Sequence, residues 1–346
     1  MLHFFPKIRY QLASENRVAK YLRYAIGEIL LVVIGILIAV QINNWNENRK
    51  KNQSVEQLIT VLTKDLEFNI VHSSELIEWS YERDSIFQLI TTKKVTREML
   101  IKNPNLIIKG GSATRRYPDE NLNDILAGEN YIPERYSGLV PDLKELKVLL
   151  ESQKKWETAV LEFNENWAKY QNDNLPWLHQ TDPASKEAKL DYYLNDPYYI
   201  NRLYWYATLQ FDENTYDATK ISSLSVALLW LINAVKVNPD KIDFMTFMKQ
   251  HGFVPFEEKD SNASFDSLEY RTQFRMSFPI YNNLGSAVTL KRTSADDGET
   301  TTYTLPDSPE FYFFPNLNHG DIWEYSDKNG NVRKYRSTRN GYLIIQ

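Results

Sequence analysis

The pattern of the chain begins with one long apolar stretch. From Ala25 to Ile42 there are 18 residues, and only Glu28 and Gln41 among them are polar. As a helix this stretch would be about 27 Å long, close to the roughly 30 Å hydrocarbon thickness of a bilayer. Basic residues precede it, and a polar segment with Trp45 follows it, as is typical of the flanks of a membrane span. We therefore predict a transmembrane helix over residues 25–42.

Two other interpretations fit this stretch less well. A buried core helix of a soluble protein would seldom have a cationic flank at one end and a Trp-containing polar flank at the other. A cleaved signal peptide would have a shorter apolar region and a small-residue cleavage site, whereas this chain continues directly as QINNWNENRKK. An uncleaved signal anchor fits the pattern best.

The flanking charges predict an orientation. Residues 1–24 hold five basic side chains against one acidic side chain, and the flank after the span holds three basic residues, Arg49, Lys50 and Lys51. The positive-inside rule then places the N-terminus in the cytoplasm and the bulk of the chain in the periplasm, anchored in the cell inner membrane. Residues 1–24 mix apolar and basic positions at helical spacing, which predicts a cytoplasmic amphipathic segment on the membrane surface.

Three residues of the span could do more than anchor. Glu28 lies one turn inside the cytoplasmic end, where it is either a proton or ion site or an interfacial acid facing Arg23 or Lys20. Gly35 and Ala39 form a small-xxx-small pair, which allows two helices to approach closely and suggests a homodimer.

Apolar residues then recur at helical spacing, which predicts an extracytoplasmic helical bundle over residues 43–252. Because no Gly or Pro occurs between Gly35 and Pro104, the span can continue outward as one helix. The apolar stripe of this helix consists of Val55, Ile59, Leu62, Leu66, Ile70 and Ile77. Further helices are predicted over residues 141–172, 196–237 and 240–251, with a short one around NLNDILAG. The apolar run at 226–237 is too short for a second span and predicts a core helix.

Near the C-terminus the spacing of apolar residues changes from a helical period to the alternation typical of strands. A polar linker is predicted over residues 253–268, and residues 269–346 hold short segments rich in β-branched and aromatic residues, separated by turn signals. This pattern predicts a small all-β sandwich. The whole chain is therefore predicted to be mainly α, with one transmembrane helix that continues into the bundle and a C-terminal sandwich. Asn329-Gly330 predicts a type I′ hairpin turn.

Two segments resemble known families. FFPKIRY, KYLRYAIGEI and IGILIAVQINNWNE resemble the N-terminal signature of an uncharacterised family of single-span membrane proteins from Bacteroidota. That resemblance implies a membrane protein of the bacterial envelope and supplies no catalytic residue. The strand and turn order of the C-terminus is similar to the von Hippel–Lindau β-domain type, whose sandwich binds a peptide through an H-x-W element. Here the nearest match is HGDIW, in which His319 and Trp323 are four residues apart, so the resemblance implies the fold alone.

The composition of the chain excludes several kinds of binding and catalysis. The net charge is -5, and because residues 1–24 carry a local +4, the remainder carries -9. An acidic body argues against nucleic-acid binding. The chain has no cysteine, which excludes disulfides, thiolate catalysis and iron–sulfur clusters. Its five histidines are scattered, and no nucleotide-binding, hydrolase or zinc-binding motif occurs. We therefore predict no catalytic residue, no metal and no cofactor.

A dense aromatic segment suggests a ligand platform. YYLNDPYYINRLYWY holds six tyrosines and one tryptophan, with Arg202 among them. Such a helix either packs large rings into the bundle or presents them to a protein or glycan. The candidate platform residues are Tyr198, Tyr199, Arg202, Trp205, His319 and Trp323.

Three functions remain open on these observations. The first is a non-enzymatic, membrane-anchored envelope protein that binds a protein or glycan partner. The second is a ligand sensor that signals through the transmembrane helix to a partner in the membrane, since the short tail has no room for an output domain. The third is an envelope enzyme with a site between the bundle and the sandwich.

Overall fold

A computed structural model describes most of the chain. The described residues are 18–111, 116–128, 132–237, 243–259, 275–307, 310–314, 317–327 and 329–346. Most of the predicted cytoplasmic segment, residues 1–17, and the second half of the predicted linker, residues 260–268, lie outside them.

Helices make up most of the chain before residue 252. They are α1 (Val18–Thr91), α2 (Arg97–Lys102), α3 (Glu120–Ala127), α4 (Glu134–Ser137), α5 (Val140–Asn174), α6 (Pro183–Asn195), α7 (Pro197–Ala207), α8 (Tyr216–Lys236) and α9 (Phe244–Gln250). A 3₁₀ turn spans Pro104–Leu106, and a π-helix spans Thr208–Thr215 between α7 and α8. The predicted mainly α class with C-terminal strands is confirmed.

Helix α1 is continuous for 74 residues. Its uninterrupted course follows from the lack of helix-breaking residues after Gly35, as the sequence predicts. Every residue of the predicted stripe from Val55 to Ile77 is buried. The chain divides into two compact units, and the boundary lies inside α1, between Gln57 and Leu58; residues 132–133 group with the first unit.

The predicted helix over residues 196–237 exists as α7, the π-helix and α8 in succession. Asp196 caps its start, because its carboxylate accepts a 2.9 Å hydrogen bond from the backbone N–H of Tyr199. The helical run Pro197–Lys236 is long and apolar enough to cross a membrane, but 72% of its most apolar window is buried by the protein itself. This burial agrees with the predicted core helix.

The strands form two sheets within the described residues. They are β1 (Val254–Pro255), β2 (Glu257–Lys259), β3 (Ile280–Asn282), β4 (Val288–Thr293), β5 (Thr300–Leu305), β6 (Phe311–Tyr312), β7 (Ile322–Ser326), β8 (Val332–Arg336) and β9 (Gly341–Ile345). One sheet has the order β1-β9-β3-β6, and the other has the order β2-β8-β7-β4-β5. The second sheet is antiparallel throughout, with β4 and β5 in register from Val288 opposite Leu305 to Thr293 opposite Thr300.

One turn differs from its prediction. Gly330 has a positive φ of 79°, but Asn329 and Gly330 are not the two central residues of the hydrogen-bonded turn, as the predicted type I′ turn requires. Instead Gly330 donates its N–H to the carbonyl of Asp327, and Asp327 Oδ1 accepts the backbone N–H groups of Asn329 and Asn331. The aspartate side chain therefore organises a longer loop, and Gly330 takes a left-handed conformation in it.

Helices and strands share one core in the unit that begins at Leu58. The core cluster joins Tyr81 of α1 and Tyr206 of α7 to Phe278 and Trp323 of the β region. Hydrogen bonds cross the same boundary: Thr219 Oγ1 accepts the backbone N–H of Ser277 at 3.0 Å. The first residues of the predicted linker form β1 and β2, which pair with β9 and β8.

Candidate functional site

Helix α7 presents three different faces, because its residues repeat every 3.6 positions. Tyr199, Leu203 and Tyr206 are buried on one face. Tyr198 and Arg202 lie on a second face, and Trp205, which is 60% exposed, follows them one turn later. The third face, from Pro197 to Tyr204, lines a cleft.

The second face holds a cluster of one arginine and three aromatic rings. Arg202 Nη2 donates a 2.6 Å hydrogen bond to the hydroxyl of Tyr198, and the ring of Tyr198 stacks on Tyr170 with 4.0 Å between centroids. The guanidinium also lies 5.6 Å from the ring centroid of Phe163 and 5.5 Å from that of Tyr170. These are cation–π distances, so the guanidinium and the rings hold one another in place on the surface.

Tyr199 lies apart from that cluster, on the buried face. Its ring is completely buried, and its hydroxyl donates to the carbonyl oxygen of Ile108 at 3.1 Å. Burial raises the pKa of Tyr199 far above its ordinary value, and the neighbouring Tyr193 adds to this effect. Tyr206 lies two turns later on the same face, and its hydroxyl donates to the carbonyl oxygen of Gly111 at 2.7 Å. Both tyrosines hold the segment from Ile108 to Gly111 against α7.

The cleft has a volume of about 780 Å³. Its walls come from the end of α1 and the segment after it, and from α6 and α7; the lining residues are Ile90, Thr91, Lys93, Val95, Tyr193, Leu194, Asn195, Pro197, Ile200, Asn201 and Tyr204. Burial raises the pKa of Tyr193 to about 12, so its hydroxyl is neutral at any physiological pH. The walls are therefore mainly apolar and aromatic, with a few hydrogen-bonding groups.

Lys93 lines the cleft at the C-terminal cap of α1. Its backbone has a positive φ of 56°, and its N–H donates to the carbonyl of Ile90, while the N–H of Lys94 donates to the carbonyl of Leu89. These two bonds define a Schellman motif with Lys93 at the left-handed position, where glycine is preferred. The motif ends α1 and turns the chain so that Val95 reaches the same cleft.

His319 and Trp323 lie in the β region. Trp323 is completely buried, with its ring close to those of Phe256, Tyr303 and Phe314. His319 is partly buried, and its ring lies 6.2 Å from that of Tyr81. Burial is the main cause that lowers the pKa of His319 to about 4, and the nearby guanidinium groups of Arg339 and Arg336 contribute to this lowering. The two residues thus belong to packed surroundings in this structure.

Of the predicted membrane residues, Glu28, Gly35 and Ala39 lie in the apolar part of α1, and Trp45 lies in the polar segment that follows it. Glu28 is partly buried, and Ala39 is exposed. A Cβ added to Gly35 would meet no atom within 4 Å, so this position is open. Trp45 is exposed, and the guanidinium of Arg49 lies 5.5 Å from its ring centroid. In the described part of the chain no three acidic or histidine side chains come together as metal ligands.

Sequence reasoning identified the aromatic segment but missed the cleft. The two walls are about 100 residues apart in the chain, and α6 was not predicted at all. One local signal existed: Pro183 follows Asp182, the same Asp-Pro start that identified α7.

The N-terminal signature has a match among known families. Residues 28–109 match the model of a family of unknown function, DUF6090. The match confirms the predicted resemblance to an uncharacterised family, and it extends from Glu28 in the apolar part of α1 to Lys109, so it includes the α1 wall of the cleft. No curated protein and no solved structure matches the chain. The resemblance of the sandwich to a von Hippel–Lindau β-domain stays a prediction.

Proposed function

We propose that this protein is a single-pass, membrane-anchored protein of the cell envelope that binds a partner through the folded unit starting at Leu58. The observation that carries the proposal is the apolar part of α1. None of its most apolar 18-residue window is buried by the protein, and its large aliphatic side chains are exposed. Exposing so much contiguous apolar surface to water is unfavourable, whereas a bilayer would cover it.

The flanking charges support an orientation with the N-terminus in the cytoplasm and the folded unit in the periplasm. Five basic residues precede the span and three follow it. Such an excess on one side favours retention of that side in the cytoplasm. In this orientation the span is an uncleaved signal anchor of the inner membrane.

The anchor can be tested with matched lysine substitutions. Full-length protein should stay in the membrane pellet after an alkaline carbonate wash, and Val33→Lys with Leu37→Lys should release it, because each lysine costs about 3 kcal/mol in the centre of a span. Ile101→Lys with Val148→Lys is the control, since these side chains are 62% and 63% exposed on the folded unit. Release of the unsubstituted chain would overturn the proposal.

The orientation has a separate test. A reporter enzyme that is active only in the periplasm should be active when it is fused after Gln346. An inactive reporter would overturn the orientation and leave the anchor itself standing.

The exposed face of α7 is the proposed contact with a protein or glycan partner. Exposed aromatic rings beside a positioned arginine are common in binding surfaces, because they bury much area at a small cost in side-chain entropy. Crosslinking in intact membranes should recover a partner from the wild type, and Arg202→Gln with Trp205→Ala should recover less of it. Recovery of the protein alone from both samples would contradict this part of the proposal.

A ligand sensor is the second candidate function. The cleft is lined by Ile90 and Thr91, at the end of the same helix that carries the apolar stretch. A ligand in the cleft would therefore contact the membrane helix directly. Because the chain has no cysteine, Ala39→Cys introduces a unique thiol, and its crosslinking rate in membranes should change when a ligand fills the cleft. An unchanged rate would leave tethering as the function.

A further inference from the structure

The cleft between the end of α1 and helices α6 and α7 has the size and walls of a small-molecule site. Sites for small ligands usually measure about 300–1,000 Å³ and combine apolar walls with a few polar groups. Here Ile90, Val95 and Ile200 supply apolar surface, and Tyr204 supplies an aromatic ring that is about half exposed. Such walls favour a ligand with an apolar or aromatic body.

The charge of the cleft is positive. Among the lining residues, all of which lie in the described part of the chain, Lys93 alone is charged. Arg97, which follows shortly after it, pairs with Glu187. No ion pair is found for Lys93 among the described residues. A lone cation beside apolar walls attracts an anionic group and disfavours a cationic one, because the latter would lose water without gaining a partner.

The backbone of Lys93 adds an independent argument. Its positive φ of 56° at the left-handed position of the α1 cap is one that glycine adopts without strain and lysine does not. The cap itself therefore does not require this side chain. Strained positions that persist next to a cavity are a recognised feature of binding sites.

We propose that this cleft binds a small organic carboxylate with an apolar body, and that Lys93 pairs with its carboxylate. Asn195 and Asn201 are further lining residues with amide groups that can bond to polar substituents of the ligand. The site does not depend on membrane anchoring, since all of its residues belong to the unit that starts at Leu58. An experiment that contradicts the ligand site is therefore different from the experiment that would contradict the membrane anchor.

Photoaffinity labelling of the full chain in lipid nanodiscs tests the site. The probe is 4-benzoylbenzoate, and its comparison compound is 4-(aminomethyl)benzophenone, which has the same body and a cationic head. Mass spectrometry should locate the carboxylate label in the peptides that carry residues 90–95 and 193–204, and the amine should label them at least about tenfold less.

Three variants make the test decisive. Lys93→Gly should lower carboxylate labelling at least about tenfold, while its midpoint of urea unfolding stays equal to the wild type or rises, because glycine suits the cap. Lys93→Arg should retain labelling, and Lys94→Gln, at a neighbouring lysine outside the lining, should match the wild type. Equal labelling by both probes, or full labelling of Lys93→Gly, would overturn the proposal.

Discussion

Arg292 Nε donates a 2.6 Å hydrogen bond to Asp321 Oδ2, and the carboxylate of Asp321 is completely buried. The same carboxylate accepts the backbone N–H groups of Ala295 and Asn318, at 2.9 and 2.8 Å. One side chain thus joins the end of β4 to the segment that precedes β7. Because the partners of this charge come from these two separate parts of the β region, the carboxylate fixes how the two segments meet.

Loss of this carboxylate should destabilise the protein strongly. Asp321→Ala removes the carboxylate that accepts from the largely buried guanidinium of Arg292 and from two backbone N–H groups, and we expect the free energy of unfolding to fall by about 3–5 kcal/mol in urea titrations. Glu258→Ala is the control, because Glu258 pairs with the exposed Arg333 and should cost less than about 1 kcal/mol. Equal effects of the two substitutions would contradict the structural role of Asp321.

His319 should make stability depend on pH. Its pKa of about 4 in the folded protein is below its unfolded value of 6.5, so the unfolded chain binds more protons between these values. Stability contributed by this residue is therefore present above pH 6.5 and is lost as the pH falls towards 4, by up to about 3 kcal/mol. The residues around it are Tyr81, Arg336 and Arg339, and none is an acid that would favour the charged imidazole.

The measurement is the difference between the wild type and His319→Gln across this pH range. Burial raises the pKa of Asp212 to about 6. The stability that Asp212 contributes is therefore lost as the pH rises through 6, a pH dependence opposite in sign to that of His319. Asp212 is present in both proteins and cancels in the difference. Parallel stability curves for the two proteins would rule out the histidine effect.

Two neighbouring tyrosines should respond differently to the same substitution. Tyr199→Phe removes the donor to the buried carbonyl of Ile108 and should lower the free energy of unfolding by about 1–2 kcal/mol. Tyr198→Phe removes only an exposed hydroxyl beside Arg202, and we expect a change within about 0.5 kcal/mol. Urea titrations of both variants, side by side, check the assignment of the two faces; the reverse order would mean that α7 is rotated.

Gly35 and Ala39 provide a test of the predicted homodimer. A Cβ added at Gly35 meets no atom within 4 Å, and Ala39 is exposed, so Gly35→Ile with Ala39→Ile should leave the folded unit intact. Bulky residues at a close helix contact would separate two spans. We expect crosslinked dimers in membranes to disappear in the double variant, whereas Leu30→Ile should keep them. An unchanged oligomeric state would remove the reason for assigning a dimer to this pair.

Local patterns were sufficient for much of the fold. The course of α1, the buried stripe from Val55 to Ile77 and the burial of α8 follow from residue spacing and from the absence of Gly and Pro. The sequence pattern does not predict strand β9, because apolar and polar residues do not alternate in Gly341–Ile345. The strand is buried between β1 and β3, so its sequence is a nearly continuous apolar run. Helix α6 was missed because its residues show no clear apolar stripe.

The sequence by itself determined the apolar stretch, the helical and β segments and the aromatic density of α7, since these depend on neighbours within a few residues. Tertiary structure alone decided which of those aromatics are exposed and which are core. It separated Tyr198 from Tyr199, enclosed Trp323 in the core, and brought Lys93 to a cleft with Ile200. The physical reason is that burial and cavity walls depend on side chains from distant segments, whose meeting no local periodicity encodes.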